Sequence, residues 1–161
     1  MSVQSHNFYF QRIDSTGNTL NHQSSCTYQV TDPDFKWNET TIPFKTVGYY
    51  TNGSYKQTLS FILRNFIGRV KVFATLDDTV TDDSVWFPIK LETSGDYYME
   101  FGSNVETQPV GDYGTTGAVC EVIAGNYSYL KIAIERDYIT TQPDDLTKRY
   151  VGCIEQILIN L

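Results

Sequence analysis

The sequence predicts an all-β chain, a single antiparallel β-sandwich of jelly-roll type, and three observations predict it. Apolar and polar residues alternate at every second position in the best-defined segments. Aromatic residues make up 14% of the chain, with 12 Tyr, and Gly, Ser and Thr are frequent, a mixture that suits strands and turns. No segment of about ten residues or more carries a convincing amphipathic helical pattern.

The elements follow in chain order. His6–Arg12 is the first strand candidate, followed by a long irregular region over Ile13–Phe35, rich in Ser, Thr, Asn and Asp. Ile42–Val47 is a second short candidate. In KQTLSFILR, Leu59, Phe61 and Leu63 point one way while Thr58, Ser60 and Arg64 point the other, with Ile62 breaking the pattern. A turn over Asn65–Gly68 leads into RVKVFATL, where Val70, Val72, Ala74 and Leu76 oppose Arg69, Lys71 and Thr75. Each such strand has one face for a core and one mostly for water.

Beyond a loop holding Asp77, Asp78, Asp82 and Asp83, strands are expected over Ser84–Glu92 and Asp96–Phe101. A second long loop, Gly102–Gly117, contains four glycines and a proline. Loops of this length in a compact domain are functional or ordered by a partner. Ala118–Ala124 and YLKIAIER follow, the latter with Leu130, Ile132 and Ile134 opposite Lys131, Ala133 and Glu135. Pro143–Tyr150 suits a turn or two of helix. The last strand, Tyr150–Leu161, runs apolar to the final residue and so must pair inside a sheet. Its alternation slips at Glu155 and Gln156, which marks a bulge. Nothing divides the chain, so residues 1–161 read as one domain.

The net charge of −7 argues against nucleic acid as a partner, since phosphate neutralisation needs clustered Lys and Arg. The charge is also lopsided: residues 1–76 carry seven cations against four acids, and residues 77–161 carry five against fifteen. Complementary fields of this kind attract neighbouring copies head to tail. Cys26, Cys120 and Cys153 are odd in number and widely spaced, indicating neither zinc nor a disulfide framework; Cys120 and Cys153 read as small core residues. There is no signal-peptide pattern and no apolar run of about 18 residues, so no membrane partner is expected. Synthesis in a cytoplasm with reduced thiols follows, and the sequons at Asn38, Asn52 and Asn126 serve as turn residues.

Chemistry is sparsely signalled. The four aspartates lack the Gly and spaced Glu of an EF-hand, so they read as a solvated hairpin loop, with a calcium site built on Asp77, Asp78, Asp82 and Asp83 as the alternative. His6 and His22 lie in no nucleophile motif, and GxSxG, HExxH, P-loop and GxGxxG patterns are absent. The expectation is a non-enzyme without cofactors. The better candidates are aromatic: Trp37, Tyr49, Tyr50, Tyr97, Tyr98 and Tyr127 lie at or near predicted strand ends, where such rings serve as ligand or interface contacts. Trp86 is the aromatic expected in the core.

The segment LSFILRNFIGRVKVFATLDDTVTDDSVWFPI, Leu59–Ile89, resembles virion structural proteins of tailed bacteriophages, notably cyanophage-like, contractile-tailed ones. There an apolar strand, a short turn and a strand like RVKVFATL precede a polar excursion and a "W-F-x-I" strand. GNYSYLKIAIERD, Gly125–Asp137, is similar to their "G-N-[FY]-x-[WY]-[LV]-[KR]" strand, and GCIEQILINL to their closing "G-x-I-x-x-I-L-x-N" strand. The same grammar resembles galactose-binding-like jelly rolls, which include carbohydrate-binding modules. The resemblance implies a non-catalytic virion component of tail, neck, baseplate or capsid surface, made in the host cytoplasm and contacting other virion proteins and copies of itself. The alternative is a carbohydrate-binding module, free or as a receptor-reading virion domain.

Overall fold

A computed structural model of the chain describes residues 3–6, 11–13, 19–23, 38–46, 56–101, 114–136 and 153–160. All regular structure among them is strand, and no described residue is helical. The strands are β1 (Val3–His6), β2 (Gln11–Ile13), β3 (Thr19–Gln23), β4 (Asn38–Thr40), β5 (Phe44–Lys45), β6 (Lys56–Phe66), β7 (Gly68–Thr75), β8 (Phe87–Pro88), β9 (Met99–Phe101), β10 (Thr115–Ala124), β11 (Tyr129–Glu135) and β12 (Cys153–Asn160).

They pair antiparallel into two sheets. The smaller has the order β1-β12-β6-β10; the larger has β3-β2-β4-β11-β7-β8, with β5 on β11 and β9 on β7. One hydrophobic core joins them. Leu59, Phe61, Leu63, Ile123, Ile157 and Ile159 come from the first sheet, and Val70, Val72, Ala74, Leu130, Ile132 and Ile134 from the second. The period of two is the cause, because each strand turns one row of side chains inward. Ile89 and Leu91, beyond β8, seal the same core.

The terminal apolar strand is paired on both flanks, by β1 and β6, and its register shifts between Ile154 and Gln156. The break in alternation at Glu155 is thus a bulge, which leaves Glu155 exposed and returns Ile157 and Ile159 to the core.

Other expectations need correction. The first strand candidate, His6–Arg12, is two strands, and β3 lies within the expected loop Ile13–Phe35. A strand at the end of a sheet pairs through its backbone and needs no apolar pattern. The turn expected over Asn65–Gly68 shrinks to Ile67, as β6 continues to Phe66. At the other long loop, β10 begins at Thr115, with a register shift between Thr115 and Gly117 where Gly117 adopts φ 129°. Leu76 is exposed, since β7 ends at Thr75 and Leu76 already belongs to the acidic loop. The expected strands Ser84–Glu92 and Asp96–Phe101 contract to β8 and β9. Pro143–Tyr150 lies outside the described residues.

Two cysteine expectations also change. Cys120 is a free, exposed thiol because it sits on the outer side of β10, alternating with buried Glu121. Cys153 is buried but disulfide-bonded, with its other half outside the described residues, so not all three thiols are reduced.

Candidate functional site

With the apolar rows of β7 and β11 turned into the core, the residues between them are displayed on the opposite face of the larger sheet. The register sets Arg69 across from Glu135, Lys71 from Ala133, Phe73 from Lys131 and Thr75 from Tyr129. On the other flank of β7, Arg69 stands across from Glu100 and Phe73 from Pro88. Ile89 donates its N–H to the Val72 carbonyl at 2.9 Å, which carries this register one step further, and the next residue, Lys90, is exposed. Lys45 of β5 stands across from Tyr129.

Charge pairs tie the columns together. Arg69 Nε lies 3.3 Å from Glu100 and its Nη1 lies 3.7 Å from Glu135, while Lys71 also pairs with Glu135. The Arg69 guanidinium covers the Tyr98 ring at 4.5 Å. Lys131 Nζ lies 4.4 Å from the centre of the Trp86 ring and 5.9 Å from that of Phe73. Burial among these groups lowers the Lys131 pKa below its ordinary 10.5. Among the described residues, neither Lys90 nor Lys131 has a carboxylate within ion-pairing distance. Over β5, β7 to β9, Lys90 and β11, five cations (Lys45, Arg69, Lys71, Lys90, Lys131) face two carboxylates, Glu100 and Glu135. Phe73, Trp86, Tyr98 and Tyr129 lie among them, half-buried.

The acidic loop lies at one end of this face. Asp77, Asp78, Asp82 and Asp83 are all exposed. Thr81 and Ser84 close the turn, Ser84 Oγ accepting from the Thr81 N–H at 2.9 Å and the Thr81 carbonyl from the Ser84 N–H at 3.1 Å. The Tyr129 hydroxyl reaches the Asp78 carbonyl at 3.5 Å, anchoring the loop to β11. Among the described residues, no group of three His, Cys, Asp or Glu is placed to hold a metal ion.

A second feature is an open cleft of about 360 Å³ between β9 and β10, lined by Thr93, Ser94, Asp96, Tyr98, Phe101 and Glu121 among others. Glu121 is buried, and its Oε1 accepts from the N–H groups of Thr93 at 2.6 Å and Val122 at 3.2 Å. The carboxylate thereby fastens the 92–95 turn to the edge of the smaller sheet.

The aromatic candidates separate. Trp37, Tyr49 and Tyr50 lie outside the described residues. Tyr97 is half exposed on the turn before β9, Tyr98 lies under Arg69, and Tyr127 packs edge-on against Phe87 at 5.9 Å. Tyr127 also donates its hydroxyl to the Ala124 carbonyl at 3.3 Å, which makes it a turn anchor. Trp86 is not in the core: Phe87 packs against the core, and alternation sends Trp86 to the outer face above Lys131. Sequence reasoning missed this face because Arg69, Lys71 and Lys131 read individually as solvated positions. The signal was their recurrence beside Phe73 and Tyr129 on the same parity in two strands.

No protein-family model matches the chain, and no curated protein or solved structure is found similar to it. Among the described residues, no helix is long and apolar enough to cross a membrane.

Proposed function

We propose that this chain is a non-catalytic structural component of a tailed-bacteriophage particle, a jelly-roll type β-sandwich that works through protein–protein contacts. The observation that carries the reading is the outer face of the larger sheet. Arg, Trp and Tyr set among paired charges on one face have the composition of a protein-contact patch. A shared core behind that face fixes the side chains to a rigid backing. The strand motifs at Leu59–Ile89, Gly125–Asp137 and Gly152–Leu161, which resemble virion proteins, give the setting. The test is immunogold electron microscopy of purified particles of the phage encoding the chain. Labelling at a fixed place supports the reading; a protein that stays in the cleared lysate overturns it.

A carbohydrate-binding role is the second reading, and the cleft favours it. Tyr98 and Phe101 supply rings for sugar stacking beside the hydroxyls of Thr93 and Ser94 and the carboxylate of Asp96. A glycan array would then show retention that Tyr98→Ala and Asp96→Ala abolish; no retention by the wild type rejects this reading.

A further inference from the structure

We propose that the acidic loop Asp77–Asp83 of one copy docks on the cationic, aromatic face of the larger sheet of the next copy. This deepens the assembly reading and rests on it. Among the described residues of β5, β7 to β9, Lys90 and β11, five cations stand against two carboxylates, in a chain whose net charge is −7. Lys90 and Lys131 present ammonium groups that no described carboxylate meets. The loop presents four exposed aspartates whose carboxylates take no hydrogen bond or ion pair from a described residue. Each patch supplies what the other lacks, and both belong to the same chain. That identity favours a second copy over another acidic protein, and the net charge of −7 opposes the approach of a nucleic acid.

The two patches differ, so the contact is heterologous: one copy's loop engages the next copy's face, leaving a free loop and a free face at the ends. Such a contact builds a ring where the rotation closes and a filament where it does not. Its size sets its strength. Strand columns about 4.8 Å apart and same-face neighbours about 6.8 Å apart give a face of roughly 15 by 20 Å. That is well below the roughly 800 Å² per partner of a stable interface. The contact is therefore weak and salt-sensitive, and it forms where copies are concentrated, as in an assembling particle.

The experiment is sedimentation of the full chain at about 0.02 M and about 0.5 M salt, with two charge-reversal variants. One carries Lys90→Glu and Lys131→Glu, the other Asp82→Lys and Asp83→Lys. Lys90→Glu alone, at an exposed position, serves as the control against misfolding. The wild type should at least double its weight-average mass at low salt and high concentration, and lose the gain at high salt. Each variant should stay monomeric alone, and an equimolar mixture should recover association as mixed pairs, because the intact acidic loop of the first variant meets the intact face of the second. A wild type that is monomeric throughout, or variants that assemble as it does, overturns the proposal. Retention of a single-stranded oligonucleotide or of heparin by a monomeric wild type overturns it too, in favour of a polyanion ligand. Particles that still label with gold while the chain stays monomeric remove this contact and leave the virion reading standing.

Discussion

The ammonium of Lys131 stands 4.4 Å above the centre of the Trp86 ring, on the face of the sheet turned away from the core. Trp86 therefore contributes as a surface partner. Trp86→Ala should cost about 1 kcal/mol, the scale of a partly exposed cation–π contact. A buried aromatic would cost about 3 to 5 kcal/mol. Urea unfolding of the two proteins distinguishes the values.

The same residue shapes the alkaline limb of stability. Burial lowers the Lys131 pKa in the folded chain below the 10.5 of the unfolded one. Between those two values the unfolded state binds more protons, so this residue makes stability rise with pH. Its protonated form opposes folding below that window, and the opposition is fully relieved only above 10.5. Lys131→Met removes the titration. Stability of the variant relative to wild type should therefore fall as pH rises toward that limit; a difference independent of pH would contradict the assignment.

Gly125 adopts φ 147°, and a Cβ there would overlap the Tyr127 ring. Strain and overlap together should make Gly125→Ala cost about 1 to 3 kcal/mol in thermal or urea unfolding. Gly125→Ala combined with Tyr127→Ala should lose less than the sum of the two single changes, since the truncated side chain makes room.

Glu121 should matter as an acceptor. Glu121→Ala leaves the Thr93 and Val122 N–H groups without their carboxylate oxygen and should cost about 1 to 3 kcal/mol. Glu121→Gln retains an acceptor of the same shape and should recover most of that loss. Equal damage by both changes would show that charge, not hydrogen bonding, holds the turn.

The long strands were legible because burial acts on each of them with period two. Val70, Val72, Leu130 and Ile132 announce both the strand and its inward face, and the slip at Glu155 announces the bulge. The short strand β4 was not, since three residues hold no period and its pairing with β11 depends on a partner about 90 residues away; β5 lay within the expected strand Ile42–Val47. The charged outer face of the larger sheet stayed hidden for the same reason. Arg69 meets Glu100 and Glu135 only through register, which no local pattern encodes. Trp86 was misplaced because apolar size suggests burial, whereas its neighbour Phe87 takes the place against the core.

Light scattering on the eluting wild-type chain, over rising concentration at low and then high salt, tests the central claim that copies of the chain associate through the acidic loop and the outer sheet face. The account predicts a mass above the 18.4 kDa of the single chain at low salt, returning to it at high salt. A mass of 18.4 kDa under every condition would contradict it.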